Sequence, residues 1–463
     1  MVSMTQLMKN RLRMAAALLS YAATLSACGT AATPGSAPPT LYLPESWTET
    51  PSKTSVATPS LNLATEPPVT PTSTSVPTRG PSVPDGSTSI LVLPRRDPQD
   101  GSLSYDNPVW SPDGRWIAFT RTSEETHWLF DVVLMAAGCA GRFDECRGEL
   151  VELLHQHAIL WRSLTWSADA RRLGLLYDDM LANAGGVALI DIHSGADFQV
   201  TQTLVGLDQT SGEPLWVPRA IALSPDGRRV LLEVDSYSEH PSGIYELSSD
   251  GQNPRLLHEG GAAPLFSPDG QRIAFLELGE DEYTPPMWAV MDSSGRLLNL
   301  VANPIVYAAY QYETRGTWSP DGQHLAVELG FTPDPRDESG RILPMNVFIV
   351  SADGDHLEQL TGVDEDLLRY NEEPSWSPDG RYVAFLSHDE CGGYPVQCWP
   401  GGENFIYVVR PDGSGPKLIA GPGLIYLYGW TADGRYLVYT GDYVDAEGRD
   451  LEGFFMVPVE DSP

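Results

Sequence analysis

Seven copies of one short motif occur along this 463-residue chain, each made of an apolar residue, a tight polar turn and a short apolar strand. The serine or threonine of one copy lies 43 to 58 residues from that of the next. A unit of this length forms one small sheet that cannot bury both of its faces alone, so the units must stack to make a core. The copies begin at Trp110, Trp166, Leu223, Phe266, Trp318, Trp376 and Trp430.

The residues of each copy predict a turn followed by a buried strand. In Ser-Pro-Asp-Gly the proline fixes its backbone φ at a value that suits a turn, and the Ser and Asp side-chain oxygens form hydrogen bonds with nearby backbone groups. The glycine adopts the left-handed backbone conformation that ends the turn. The strand that follows, for example Arg115–Phe119, is apolar on both faces and therefore lies between two layers. A further strand such as Gly243–Leu247 and a second Asp-Gly turn come next in several units. Four antiparallel strands per unit, repeated radially, predict an all-β fold, a seven-bladed β-propeller.

The pattern W-S-P-D-G-R-x-[IVL]-[AV]-[FY], followed by an I-Y-V-like strand and a D-G turn, resembles the TolB-type, WD-like β-propeller repeat. The resemblance covers about Asp106 to Pro463 and implies a fold, not a function. The second copy lacks the proline and the glycine, and the seventh lacks the proline, so those two blades are expected to be irregular.

The two ends of the repeat region predict how the ring closes. The seventh unit ends after its third strand, and Ser89–Pro94 is a strand without a partner of its own before the first motif. We therefore expect this N-terminal strand to join the last blade and to cover its free edge. The propeller domain is predicted to span 89–463.

The N-terminus has the features of an export signal. Residues 1–27 combine basic residues with an apolar run too short to span a bilayer, and end in Leu-Ser-Ala before Cys28, which resembles the lipobox of bacterial lipoproteins. This resemblance implies lipidation of Cys28; an ordinary signal peptide is the alternative. Residues 28–88 are rich in Pro, Thr and Ser and are predicted to be a disordered linker. We expect a lipid-anchored, extracytoplasmic protein at the cell membrane or cell surface.

Four cysteines remain after Cys28, in two pairs separated by seven residues. An oxidising exterior favours two disulfides, Cys139 with Cys146 and Cys391 with Cys398. A metal site and free thiols are the alternatives, but neither spacing is typical of a zinc site, and no metal is expected.

The net charge and the sequence motifs limit the classes of partner and the kinds of chemistry that this protein can have. The formal net charge of −33 argues against nucleic acid, and against membrane contact other than through the anchor. Neither a Gly-x-Ser-x-Gly elbow nor a phosphate-binding loop occurs, so no catalytic residue is predicted. His155 and His157 could share a metal as alternate residues of one outer strand, but two solvated histidines are favoured. Calcium at acidic loops is an open possibility; otherwise no cofactor is expected.

Long connections are predicted to gather at one face of the propeller, together with tyrosines and acids. Tyrosine beside carboxylates on loops held by a rigid scaffold is typical of a recognition surface, although tolerated surface insertions would give the same pattern. The predicted function is a binding or scaffold module for an envelope or extracellular protein or peptide. The alternative is an extracellular enzyme acting on carbohydrate or peptide, with a metal or acidic site in the funnel. The candidate binding residues are Glu282, Tyr283, Tyr310, Tyr312, Asp364, Glu365, Asp366, Tyr370 and Tyr426.

Overall fold

The structure, a computed structural model, places its described residues within one of two compact units of the chain, Leu43–Pro463. None of the helices among those residues is long and apolar enough to cross a membrane. The described residues are 89–123, 129–157, 159–160, 164–179, 184–192, 199–204, 216–236, 241–251, 253–278, 286–300, 316–330, 345–361, 369–389, 404–423, 425–444 and 450–459.

The described strands form seven antiparallel sheets, which are the blades of a propeller, and the predicted fold class is confirmed. In every blade the first strand is the innermost and the last is the outermost. Blade 1 contains β2 (Leu103–Trp110), β3 (Trp116–Ser123), β4 (Leu129–Ala136) and β5 (Val151–His157). Blade 2 contains β6 (Ile159–Leu160), β7 (Thr165–Trp166), β8 (Arg172–Asp179), β9 (Ala184–Asp191) and β10 (Gln199–Leu204). Blade 3 contains β11 (Trp216–Leu223), β12 (Arg229–Ser236), β13 (Gly243–Ser248) and β14 (Arg255–Glu259).

The remaining blades follow the same order, and the N-terminal strand β1 (Ile90–Pro94) completes the last of them, as predicted. Blade 4 contains β15 (Gly261–Phe266), β16 (Arg272–Glu277), β17 (Met287–Asp292) and β18 (Leu297–Leu300). Blade 5 contains β19 (Gly316–Trp318), β20 (His324–Gly330), β21 (Met345–Ser351) and β22 (Leu357–Gln359). Blade 6 contains β23 (Arg369–Trp376), β24 (Val383–Asp389), β25 (Asn404–Val409) and β26 (Lys417–Gly423). Blade 7 contains β27 (Leu427–Trp430), β28 (Tyr436–Val444), β29 (Asp450–Pro458) and β1.

Each motif turn is closed by the same hydrogen bonds. In the first copy Ser111 Oγ donates to Asp113 Oδ1 at 2.7 Å and accepts the Trp116 N–H at 3.0 Å, while the Gly114 N–H donates to the Ser111 carbonyl. Gly114 has φ +70°, which glycine adopts without strain. The serine is fully buried, so its hydroxyl satisfies backbone groups that water cannot reach.

The two imperfect copies behave differently. In blade 2 the inner strand is divided into β6 and β7, and Ala170 takes the glycine position at φ +56°, so the predicted irregularity is confirmed there. The seventh copy keeps the complete bond pattern, with Thr431 Oγ1 donating to Asp433 at 2.6 Å and accepting the Tyr436 N–H at 3.2 Å. The turn of the seventh copy is therefore as regular as that of a complete copy, because threonine supplies the same hydroxyl and the turn forms without proline.

Motif residues also join each blade to the next. The indole N–H of Trp318 donates to the Leu265 carbonyl of blade 4 at 3.2 Å, and Trp430 makes the same bond to Ser375 of blade 6 at 3.0 Å. The guanidinium of Arg229 donates to the Gly270 carbonyl of the next turn at 2.7 Å. The repeated motif therefore forms the turn within each blade and also supplies the hydrogen bonds that hold neighbouring blades together.

The core consists of one apolar cluster in each blade interface, seven in all among the described residues. Between blades 3 and 4, for example, Leu231 and Ile244 pack against Ile273 and Phe275, all of them fully buried. Strands that are apolar on both faces fill two such interfaces at once, as the sequence predicted.

The motif turns and the connections between third and fourth strands lie at one end of the ring, called here the turn end. The connections between second and third strands, and those between blades, lie at the opposite rim end. The sequence predicts long connections at the rim end over Thr361–Ser375 and Thr440–Gly453, and both predictions were too long. Arg369–Ser375 belongs to strand β23, and most of Thr440–Gly453 belongs to the β28–β29 hairpin.

Candidate functional site

Of the predicted binding residues, Tyr370 and Tyr426 lie in the described part of the chain. Tyr370 is on the inner strand β23, and Tyr426 directly precedes the inner strand β27, so both are on the scaffold and not on long insertions. The other candidates lie outside the described residues, as do Cys28 and the Cys391–Cys398 pair. These others are Glu282, Tyr283, Tyr310, Tyr312, Asp364, Glu365 and Asp366.

A compact polar group surrounds Tyr370 in blade 6. Strand pairing places Tyr370 opposite His388, and the two rings stack with centroids 5.2 Å apart and 6° between their planes. His388 Nε2 lies 3.1 Å from Glu372 Oε1. The His388 side chain is 12% exposed and that of Glu372 35%. The histidine is thus held from two sides, while the carboxylate stays accessible to a partner.

Two exposed tyrosines follow in blade 7. Tyr426 is 39% exposed and Tyr428 36%. The backbone N–H of Tyr426 donates to Thr440 Oγ1 at 3.0 Å, which fixes its position while the ring remains open. The ring of Tyr428 meets Phe454 edge to face at 5.1 Å, and its hydroxyl lies 3.3 Å from Asp106 Oδ1 on the inner strand of blade 1. These tyrosines therefore present aromatic surface from a fixed backbone.

Six polar and aromatic residues of the three consecutive blades 6, 7 and 1 lie on or beside inner strands, and we call this group the tyrosine sector. Rigid tyrosines offer apolar contact area and a hydroxyl at low entropic cost, and the carboxylates add acceptors for positive or N–H groups. Sequence reasoning missed Glu372, His388 and Asp106. The signal was present as polar residues just before the inner-strand proline of two units, in Asp-Asn-Pro and Glu-Glu-Pro. The tyrosine sector is Asp106, Tyr370, Glu372, His388, Tyr426 and Tyr428.

A second histidine–carboxylate contact lies at the rim end between blades 3 and 4. His258 Nε2 is 2.5 Å from Glu277 Oε2, and the His258 ring packs against Phe275 at 4.6 Å. Leu278, which is 41% exposed, follows Glu277 directly.

Two buried glutamates brace the inner strands. Glu233 of blade 3 accepts the Ala263 N–H at 2.8 Å, and Glu328 of blade 5 accepts the Glu373 N–H at 2.5 Å. Ala263 and Glu373 have φ of +47° and +55°, so each glutamate holds a bulged inner strand of the following blade in an unfavourable conformation. Burial raises the pKa of Glu233, against the opposing effect of the Ala263 hydrogen bond. Glu328 thereby braces the inner strand that carries Tyr370, and Glu233 braces the equivalent strand of blade 4.

The structure brings the first cysteine pair together as a disulfide, Cys139–Cys146. Among the described residues, the one group of three potential metal-ligating residues is this disulfide pair with Glu149. Sulfurs joined to each other do not ligate as thiolates, so this grouping is not a zinc site. His155 and His157 lie on β5, the outermost strand of blade 1, as predicted.

No protein-family model matches the chain. Among solved structures it is similar to TolB from Acinetobacter baumannii, with 16% identity over 73% of this chain and 65% of that one and a TM-score of 0.40. An oligogalacturonate lyase in complex with manganese has 12% identity over 80% of this chain and 97% of that one, with a TM-score of 0.51. The oligogalacturonate lyase from Vibrio parahaemolyticus has 12% identity, coverages of 80% and 92%, and a TM-score of 0.50. At these identities the similarity concerns the propeller fold alone.

Proposed function

We propose that this chain is a lipid-anchored, extracytoplasmic binding module that recognises a protein or peptide through the rim end of its propeller. The observation that carries the proposal is the tyrosine sector, in which Tyr426 and Tyr428 expose more than a third of their surface. Tyr428 lies beside the Asp106 carboxylate, and Glu372 keeps a partly exposed carboxylate beside His388 in the preceding blade. Large aromatic side chains on a fixed backbone are the typical anchors of protein interfaces.

The predicted lipid tether fits the same function. Cys28 would attach the protein to a membrane, and the linker of residues 28–88 would hold the propeller away from the lipid surface. The strongly acidic composition keeps the propeller off anionic lipid and nucleic acid, so its partners are other proteins or peptides.

Affinity capture tests the proposal. The full chain in detergent, a tyrosine-sector variant (Tyr370→Ser, Tyr426→Ser, Tyr428→Ser) and a turn-end control (Asp353→Asn, Asp412→Asn) are each immobilised and exposed to extract of the organism's own envelope. Asp353 and Asp412 lie in exposed turns between third and fourth strands, so their change leaves the rim end unaltered. All three proteins are first compared by thermal melting.

A protein retained by the parent and the control, lost by the tyrosine-sector variant and bound directly by the purified parent supports the proposal. Equal retention by all three proteins contradicts it. Absence of any specific partner, together with a tightly held divalent metal and turnover of an oligosaccharide or peptide, favours the enzyme alternative.

A further inference from the structure

The junction between blades 7 and 1 is closed by β1, which comes from the opposite end of the folded region. Strand β1 has five residues, and its pairing with β29 runs from Ile90 opposite Met456 to Pro94 opposite Gly453. Short terminal strands are where local unfolding begins, so this strand needs additional support.

That support comes from an unusually long connection in blade 1. In blades 3 to 6, between four and seven residues join the third strand to the fourth, whereas fourteen join β4 to β5 in blade 1. Residues 137–149, here called the clasp, consist of a 3₁₀ helix (Ala137–Cys139), helix α1 (Phe143–Cys146) and a second 3₁₀ helix (Arg147–Glu149). Cys139 and Cys146 form the disulfide within it.

The clasp packs on β1 and contacts both of its ends. Cys139, Phe143 and Cys146 share one apolar cluster with the fully buried Val92 and Leu93 of β1. At the start of the strand, Gly141 lies so close to Ile90 that an added Cβ would be 2.8 Å from its Cγ2.

Beyond the other end of β1, the clasp residue Arg147 forms an ion pair with Asp97, which is 2% exposed. The same carboxylate accepts the Tyr105 hydroxyl and the backbone N–H groups of Gln99 and Asp100 at 2.9 Å. Asp97 therefore links the clasp, the chain leaving β1 and the inner strand of blade 1.

We propose that the clasp is a redox-sensitive lock on the ring: the Cys139–Cys146 disulfide keeps β1 docked, and its reduction by a dithiol releases the strand. In this step the S–S bond breaks, each sulfur gains one electron and one proton, and the dithiol becomes a disulfide. The open clasp gains conformational freedom, so its contacts with Val92, Leu93 and Asp97 loosen. Release of β1 exposes the edge of β29. The lock acts independently of the binding proposed for the tyrosine sector.

Hydrogen exchange read by mass spectrometry tests the lock on the full chain, with and without excess dithiothreitol. We expect the peptide that contains Val92 and Leu93 to exchange about tenfold faster after reduction, while the β24 peptide of blade 6 is unchanged. A variant lacking residues 86–97 gives the exchange of the β29 edge in an open ring.

Two variants separate the lock from other effects. Cys139→Ser with Cys146→Ser reproduces the fast exchange without reductant and leaves the predicted Cys391–Cys398 pair intact. Arg147→Gln keeps the disulfide and raises exchange by a smaller factor, because only the Asp97 anchor is lost.

Three results would overturn the lock. They are unchanged β1 exchange in the double serine variant, equal acceleration in β1 and β24, and a disulfide that resists excess dithiothreitol in the folded protein.

Discussion

The turn end and the rim end of this propeller differ in how far their contacts repeat from blade to blade. At the turn end seven near-identical motifs make the same hydrogen bonds, from Ser111–Asp113 in blade 1 to Thr431–Asp433 in blade 7. At the rim end the residues differ between blades: Glu233 and Glu328 brace two of them, Thr440 supports Tyr426 in another, and His258 meets Glu277 between two more.

The difference shows which part of the sequence specifies the fold and which part is free to specify a partner. Residues that recur with the repeat satisfy backbone groups and neighbouring blades, so they are needed whatever the protein binds. Among the residues that break the repeat at the rim end, Glu233 and Glu328 brace inner strands, whereas the exposed tyrosines Tyr426 and Tyr428 are free to specify a partner. Changes at the turn end should therefore lower stability, and changes in the tyrosine sector should lower binding.

The largest loss of stability is expected for Trp318→Ala. The indole is 8% exposed, lies under the Arg272 guanidinium and bonds the Leu265 carbonyl of the preceding blade. Removing a buried tryptophan costs about 3–5 kcal/mol of unfolding free energy. Chemical denaturation measures it, with Leu357→Ala on the exposed edge of the same blade as the control. A loss below about 1 kcal/mol would show that the motif tryptophan does not hold the ring.

Ser267→Ala should cost less, about 1–3 kcal/mol, because it leaves buried backbone groups without their partner. Ser267 is fully buried, donates to Asp269 and accepts the Arg272 N–H. Ser294, which bonds Asp292 in an exposed turn, gives the matched control Ser294→Ala. Similar denaturation midpoints for the two variants would contradict a special role for the motif serine.

The turn end was predictable from the sequence because it is local. A turn needs particular residues at adjacent positions, so Ser224-Pro225-Asp226-Gly227 can be recognised as a turn from the sequence alone. The number of copies then gives the number of blades. The closure by β1 was also predictable, since an unpaired strand before the first motif and a missing strand after the last must meet.

The rim end was less predictable because its contacts are between residues far apart in sequence. Tyr428 of blade 7 contacts Asp106 of blade 1, which lies at the other end of the repeat region in sequence, and Glu233 accepts a backbone N–H from a residue thirty positions away. Polar inner-strand segments such as Asn371–Pro374 also resemble loops, which is why Tyr370 was predicted on an insertion. Alternation alone cannot tell a strand at a channel mouth from a surface connection.

The two ends should also respond to pH with opposite signs. At the turn end, the hydrogen bond from the motif serine lowers the pKa of Asp226, Asp269 and Asp321, so their stabilisation is lost as the pH falls through the lowered values. Burial raises the pKa of Glu233, so its contribution is present at low pH and is lost as the pH rises through its pKa in the folded protein. Glu233→Gln should therefore gain stability relative to the parent as the pH rises above about 4.3. Melting curves from pH 4 to 8 measure this, and a pH-independent difference would contradict it.

The smallest effect on stability is expected for Tyr426→Ser. Tyr426 is 39% exposed and its described hydrogen bonds with Thr440 are made by its backbone, so the unfolding free energy should change by no more than about 0.5 kcal/mol. The affinity for a captured partner should nevertheless fall about tenfold, as expected when an interface aromatic is truncated. Titration calorimetry with the purified partner measures the loss, and Tyr436→Ser, a half-buried tyrosine of the turn end, is the matched control. If Tyr436→Ser weakened binding as much as Tyr426→Ser, the conclusion that the rim end binds the partner and the turn end stabilises the fold would be wrong.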